Sequence, residues 1–209
     1  MKKTKHGEIP YLTMHYAEKY KKAKLKSVCF DYYTDPYMVF SNFFGADDIV
    51  GHLLELKKIY RSAARLKCAK ISASNAIYSR ELFSVILNAA WVIDQTGLRF
   101  SQITAKEHYL GMNGGELKGI KIERHLTDVE FKVPYLGVKN VFKKRKLANC
   151  HSALYEWLKL ALCKNEYEQD YKGRRGLYKS IVKIIICVWL IYEKEILLSV
   201  NDANQPENN

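Results

Sequence analysis

The residues with the clearest chemical potential in this chain are basic, and the densest group is the unbroken run Lys143-Lys144-Arg145-Lys146. Lysine and arginine neutralise phosphate groups, so such a run is typical of contact with nucleic acid or another polyanion. If a helix begins at this run, its free backbone amides add further donors for an anion. If the helix begins later, with Asn149 as its cap, the four cations occupy a solvated loop. Under both interpretations the run remains the first candidate for anion contact.

A second basic group has helical spacing. Lys57, Arg61 and Arg65 recur every four residues, with Lys58 beside them. Such a stripe can follow a phosphate backbone, although it is also the usual solvent face of an amphipathic helix. We take these four residues, together with the run at 143–146, as the candidate nucleic-acid or anion-binding residues.

Catalysis has a weaker signal, carried by Arg145 and His151. Five residues separate them, a spacing that resembles the Arg-x(4–6)-His motif of HEPN-family ribonucleases, which are also all-helical. In that family the histidine assists attack by the 2′-hydroxyl and the arginine holds the phosphate. The resemblance covers only the start of one helix and implies a ribonuclease as an alternative. The main hypothesis assigns no catalytic residue and is non-enzymatic.

The cysteines predict neither a metal site nor a disulfide framework. They stand at positions 29, 68, 150, 163 and 187, an odd number without a Cys-x-x-Cys pair, and this usage fits a reducing cytoplasm. Cys150 and Cys163 would point roughly 140° apart on one helix, so they could not share an ion. No glycine-rich phosphate loop is found in the sequence, and no cofactor is predicted.

Net charge is high and unevenly distributed. The chain carries a formal charge of +12, with eight lysines against two acids in residues 1–26 and four cations without an acid in residues 61–70. With the run at 143–146, these segments exceed the whole net charge, so an anionic partner should meet discrete patches. Residues 16–26 interleave tyrosine with lysine, a pattern that can stack on bases and neutralise phosphates.

The elements that must position these residues follow from an internal repeat. Residues 35–94 correspond to 133–192 at an offset of 98 without a gap, with nine identities that include Pro36/Pro134 and Trp91/Trp189. Apolar positions stay in phase between the copies, as a duplicated helical unit requires. At the start of the long helix, Gly-Ala-Asp-Asp (45–48) in the first copy stands where the second copy has its four cations.

Each copy is predicted to be a short helix followed by a helical hairpin. In the first copy, Asp35-Pro36 starts a helix to about 44, Asp47 caps a helix to about 66, and a buried helix runs from about 76 to 93. In the second, helices follow Pro134, run from about 146 or 149 to 163, and run from about 177 to 196. A polar break is expected at 166–175.

Between the copies lies an irregular connector with two interpretations. A possible capping box at 104–107 and a turn-like segment at 110–117 suggest a helix-turn-helix. The alternating segments 120–122 and 129–133 then suggest a small β-hairpin, which would complete a winged helix. The other interpretation is a plain connector, favoured because Gly114, Gly115 and Gly119 weaken a recognition helix.

The predicted fold class is therefore mainly α: two pseudo-repeated units joined by an irregular connector that can hold a small β-hairpin. The domain assignment is a basic N-terminal arm at 1–34, helical repeat 1 at 35–94, a connector at 95–132, helical repeat 2 at 133–196 and a disordered tail at 197–209. The motifs Asp-Pro-Tyr-x(4)-Asn-Phe-Phe and Ala-Ala-Trp-Val-Ile resemble uncharacterised small all-helical proteins of Bacteroides-type bacteria. That resemblance spans about two thirds of the chain and implies an all-helical fold but no activity.

Three functions stay open from the sequence. The first is a non-enzymatic, cytoplasmic, basic helical protein that binds nucleic acid or an acidic partner. The second is a protein-interaction or scaffold module whose charge serves solubility, and the third is the HEPN-like ribonuclease. No membrane association is expected, because the N-terminus lacks a signal-length apolar stretch and the strongest apolar run, 184–192, is too short to cross a bilayer.

Overall fold

The structure is a computed structural model that describes residues 36–64, 72–97, 116–117, 120–121, 124–162 and 171–203. Over these residues the predicted mainly α fold is confirmed. In chain order the elements are α1 (Pro36–Ala46), α2 (Ile49–Ala63), α3 (Ala73–Thr96), β1 (Glu116–Leu117), β2 (Ile120–Lys121), α4 (Asp128–Lys132), α5 (Pro134–Lys144), α6 (Leu147–Leu162) and α7 (Tyr171–Ala203). The two strands pair antiparallel, with Glu116 opposite Lys121.

Local capping explains where the helices of the first copy begin and end. Asp48, not Asp47, caps α2 by accepting from the Gly51 amide at 2.7 Å. Ser72 caps α3 in the same way, which starts that helix earlier than hydrophobic periodicity predicted. Gly97 ends α3 in the left-handed conformation, with φ of 65°, where a side chain would be strained.

The last helix differs from the prediction at both ends. The polar break expected at 166–175 overlaps α7, which already begins at Tyr171 and contains Gly173 and Gly176. At Gly176 an added Cβ would lie 3.0 Å from an Arg145 Nη atom, so the missing side chain makes room for a neighbour. Tertiary packing here outweighs the low helix propensity of glycine. The helix also continues to Ala203, into the segment 197–209 that the sequence predicted as a disordered tail.

The connector holds a short antiparallel strand pair, but not at the positions predicted for the hairpin. Residues 129–133 alternate like a strand, but Asp128–Lys132 form helix α4. Its capping box overrides the alternation, because the Thr127 and Glu130 side chains each accept from the other's backbone amide. Strand pairing instead involves 116–117 and 120–121. The winged-helix arrangement is therefore wrong, while the capping box predicted at 104–107 lies outside the described residues.

The core is built around α3 and α7. Helix α3 packs against α1, α5, α6 and α7, and α7 packs against α1, α2, α3, α5 and α6. The largest fully buried side chains include Trp157, Phe40, Phe43, Phe83 and Leu154. Helix α2 has its main contact with α6 and only a small one with α3, so the helical hairpin predicted within the first copy is not confirmed.

The helix boundaries follow the offset found in the sequence. Helices α5, α6 and α7 begin 98 residues after α1, α2 and α3. The contacts also correspond: α1 packs on α3 and α7, whereas α5 packs on α7 and α3. The Tyr37 and Tyr135 hydroxyls, again 98 residues apart, are hydrogen-bonded at 3.1 Å. Duplication itself stays a prediction, and these observations support it.

Among the described residues, α3 is the one helix whose length and apolar composition would suffice to cross a membrane. In its apolar 18-residue window, 56% of the residues are buried inside the bundle, as expected for a core helix.

Two equivalent positions before the long helices give a test of capping. Asp48 caps α2, but Lys146 before α6 has only donors on its side chain and cannot accept from an amide. We expect Asp48→Ala to lower the free energy of unfolding by about 1 kcal/mol and Lys146→Asp to raise it by about 0.5–1 kcal/mol, measured by urea denaturation. Lys144→Asp is the control, since an acid in the last turn of α5 opposes the helix dipole. A Lys146→Asp protein no more stable than the parent would contradict the capping argument.

Candidate nucleic-acid interface

The run at 143–146 forms the junction between α5 and α6. Lys143 and Lys144 lie in the last turn of α5, Arg145 is its C-cap, and Lys146 precedes α6. Helix α6 thus begins directly after the run, at Leu147, and Asn149 is not its cap. The first part of the run ends α5 and does not lie in a loop. The cations of the last turn are favoured by the α5 dipole. All four residues are exposed, and none has an acidic partner among the residues that the structure describes.

The second basic group lies on α2. Lys57 is exposed and Arg61 is half-buried, while Arg65 lies outside the described residues. Lys58 forms an ion pair with Glu55 at 3.6 Å. Within the described parts of the chain, Lys57 and Arg61 have no such partner, so their charge is available to an external anion.

The two basic groups converge on the first turns of α7. Arg145 reaches Gly176, where its guanidinium occupies the space a side chain would take. Arg61 directly follows Tyr60, whose ring stacks on Tyr178 of α7. Burial raises the pKa of Tyr178, and the Arg61 charge opposes that rise. Arg175, just before Gly176, is exposed. Cations from α2, the α5–α6 junction and α7 thus approach one another.

An aromatic cluster fixes this convergence. Tyr60 of α2 stacks on Tyr178 of α7, with ring centroids 4.2 Å apart and planes 16° apart. Trp157 of α6 meets Tyr60 edge-on at 5.3 Å. Because Trp157 is only 1% exposed and Tyr60 is also buried, these two rings hold the three helices together and cannot stack on bases. The surface they support is suited to phosphates.

A groove of about 320 Å³ lies beside Arg145. Asn149 and Ser152 from the first turns of α6 contribute polar groups, and Glu156 contributes a carboxylate. Trp157 and Leu177 supply apolar lining. The groove combines one cation with neutral donors, whereas its single acid limits how much negative charge it can accept.

Arg145 and His151 contact different helices. Arg145 reaches α7 at Gly176, whereas His151 Nε2 is hydrogen-bonded to Asn88 Oδ1 of α3 at 2.7 Å. His151 is also absent from the residues that line the groove beside Arg145. The two residues of the ribonuclease alternative therefore do not act on one groove in this structure.

Sequence reasoning missed two polar groups inside the bundle. Asn88 is completely buried in α3 and bonded to His151. Glu130 is 4% exposed and bonded to Lys183, which lies 53 residues away. Asn88 follows Val-Ile-Leu, and a polar residue in such an apolar helical stretch indicates a buried polar group. The sequence does not show which residue it bonds to.

Metal ligation has no candidate within the described parts of the chain, where no group of three or more His, Cys, Asp or Glu side chains comes together. Cys150 and Cys187 are buried free thiols. Burial raises the pKa of Cys150 to about 11 and also raises the pKa of Cys187. Both thiols therefore stay protonated and unreactive at neutral pH.

Comparison with known proteins gives no match to any protein-family model, to any curated protein or to any solved structure. Function is therefore inferred from the geometry of this chain.

Proposed function

We propose that this protein binds nucleic acid through the phosphate backbone, without enzymatic activity and without reading sequence. The contact surface, here called the basic surface, consists of Lys57, Arg61 and the run at 143–146. The observation that carries the proposal is the convergence of Arg61 and Arg145 on the start of α7 at 176–178. Two cationic segments that are distant in sequence thereby become one surface.

Unpaired charge supports a polyanion as the partner. In the described part of the chain, Lys58 is the member of the two basic groups that forms an ion pair. Clustered exposed cations repel one another, and a bound anion relieves this repulsion. A nucleic acid that binds them also gains free energy because its condensed counterions are released. Lysines that lie in solvent without an aromatic platform favour contact with phosphates over contact with bases.

We also propose that the chain arose by duplication of a three-helix unit, and that the second copy then gained the basic run at 143–146. The equal offsets of the helix starts support this. Between α1 and α2 the first copy carries acids, and Asp48 is satisfied as a cap. Between α5 and α6 the second copy carries Arg145 and Lys146 instead. The free buried thiols fit the reducing cytoplasm that belongs to the same proposal.

Fluorescence anisotropy with labelled DNA duplexes and RNA strands of unrelated sequences tests the proposal. We expect similar affinities across sequences and a linear fall of the logarithm of the binding constant with the logarithm of salt concentration. Neutralising two contacts in Lys143→Gln/Lys144→Gln should reduce the magnitude of the slope on DNA by roughly 2. Lys132→Gln/Lys159→Gln removes the same charge from two exposed lysines outside the basic surface and should leave the slope close to that of the parent.

Three outcomes would overturn the proposal. Binding could be absent at low salt, insensitive to salt, or reduced equally by the two double variants. A protein that binds no nucleic acid but forms a stable complex with an acidic protein, or only with itself, would instead support the scaffold alternative.

A further inference from the structure

We infer that the interface between α3 and α6 holds a second anion site, made by Arg80 and His151, that takes a phosphoryl group. This site is separate from the basic surface and does not depend on the proposed function. Its residues are Arg80 and Asn88 of α3 with His151 and Tyr155 of α6, two helices in extensive contact.

Two contacts between α3 and α6 connect the four side chains. His151 and Tyr155 lie four residues apart on one face of α6, and Arg80 lies about two turns before Asn88 on α3. The Asn88–His151 hydrogen bond of 2.7 Å is the first contact. In the second, the Arg80 guanidinium carbon lies 5.6 Å from the centre of the Tyr155 ring.

Within the described residues, Arg80 is held in place without a counter-ion. Its contact is the face of Tyr155, a ring that is 51% exposed, and it has no acidic partner among the described residues. A cation–π contact orients the guanidinium but does not neutralise its charge. The planar fork of donors therefore remains available to an oxyanion, which it can bind through two parallel hydrogen bonds.

His151 can supply the second contact. Its Nε2 donates to the Asn88 amide oxygen, so in the neutral ring Nδ1 carries the lone pair. Nδ1 has no partner in the part of the chain that the structure describes. Burial and then the Arg80 charge lower the pKa of His151, and no described carboxylate offsets them. A bound anion would reverse this effect by favouring the imidazolium.

Asn88 shows that the arrangement is not only a packing solution. The side chain is completely buried, and its Nδ2 has no hydrogen-bond partner within the described residues. An unpaired buried amide costs on the order of 1–3 kcal/mol. Native proteins keep few such groups without a functional reason, and orienting the imidazole of His151 is a role that an apolar residue could not perform.

The other copy provides a comparison within the same molecule. At an offset of 98 residues, Asn88 corresponds to Ile186 of α7, and His151 corresponds to Leu53 of α2. Both of these residues are buried and belong to the apolar core, and α2 and α7 pack together. The equivalent interface is therefore built with an apolar pair, so the polar pair at α3–α6 is not required by the fold.

NMR of the His151 imidazole tests the inference, with the resonance assigned through His151→Gln. At pH 7 and constant ionic strength, inorganic phosphate should move this resonance toward the imidazolium position, whereas chloride should not. With a dinucleotide, whose phosphodiester keeps one charge between pH 6 and pH 8, binding should tighten as the pH falls, because it is coupled to proton uptake by His151. An affinity independent of pH would overturn the site.

Two variants separate binding from folding. Arg80→Gln should weaken binding about tenfold or more, because it removes charge-assisted hydrogen bonds. Asn88→Ile/His151→Leu introduces the apolar residues found at the equivalent positions of the other copy. This variant should fold normally but lose phosphate binding, which ³¹P NMR measures. Lys143→Gln/Lys144→Gln should retain the His151 response, so failure of the basic surface and of this site remain distinguishable.

Four further outcomes decide the inference and the source of the anion. A His151 resonance unaffected by phosphate, or unchanged phosphate binding in Asn88→Ile/His151→Leu, would overturn the site. If the dinucleotide binds more tightly than inorganic phosphate, the phosphoryl group comes from nucleic acid. If inorganic phosphate binds more tightly, the site takes a free phosphate or a phosphomonoester.

Discussion

Replacing Gly137 by alanine is expected to lower the free energy of unfolding by about 2 kcal/mol, measured by urea denaturation. Gly137 is buried where α5 packs against α7, and a Cβ added there would overlap Cys187 Sγ. The Cys187 side chain is completely buried, so the sulfur can move only by displacing its neighbours. This overlap should outweigh the better helix propensity of alanine, which alone would add about 1 kcal/mol.

Gly45→Ala is the matched control. Gly45 also lies near the end of a helix, but a Cβ added there meets nothing within 4 Å. This variant should be slightly more stable than the parent protein. In a double-mutant cycle, Cys187→Ala should remove most of the cost of Gly137→Ala, because it deletes the overlapping atom. If Gly137→Ala is as benign as Gly45→Ala, the close approach of the two helices is wrong.

Glu130 is expected to make stability depend on pH well below neutrality. The carboxylate accepts from Lys183 Nζ at 2.5 Å, Asn140 Nδ2 at 2.9 Å and the Thr127 amide at 3.0 Å. Burial alone would raise the pKa of Glu130, but these hydrogen bonds and the Lys183 charge outweigh it and lower the pKa to about 2. Unfolding returns the pKa to about 4.3. The network therefore stabilises the fold above about pH 4.3 and loses this contribution as the pH falls toward 2.

The size of the effect follows from the difference between the two pKa values. About two units correspond to about 3 kcal/mol at neutral pH. We expect Glu130→Gln to cost about 3 kcal/mol at pH 7, since it leaves the Lys183 charge without its partner. Urea denaturation from pH 7 to pH 2 should show the gap between parent and variant closing below about pH 4.

Glu55→Gln is the control for Glu130→Gln. Glu55 pairs with Lys58 at 3.6 Å on the surface, where both side chains are substantially exposed. Such pairs contribute little, so a change within about 0.5 kcal/mol is expected. A Glu130→Gln effect of this same small size, or a gap that does not depend on pH, would show that Glu130 is not held as a buried carboxylate.

The helical fold was predictable because its signals are local. Apolar periodicity located the helices, and the offset of 98 residues related their starts. Local signals failed where two of them compete. Residues 129–133 alternate like a strand, yet the capping box at Thr127 makes them helical. The polar break predicted at 166–175 is helical from Tyr171, and the space at Gly176 is filled by Arg145, a neighbour that no sequence window contains.

The candidate site was predictable only in part, for the same reason. The run at 143–146 is a feature of composition and was found directly. Its convergence with Arg61 depends on how α2, α6 and α7 pack around Tyr60. The pairing of Asn88 with His151 links residues 63 positions apart, and without the fold each is an isolated polar side chain.

Helices α1–α3 and helices α5–α7 pack against each other, which limits how the chain can be divided. Helix α2 lies mainly against α6, and α1 and α5 each reach across to the long helix of the other set. Neither 36–97 nor 124–203 therefore encloses a complete core. Cutting the peptide chain between 97 and 116 should yield two fragments that stay unstructured alone and assemble one to one when mixed, as a split protein does.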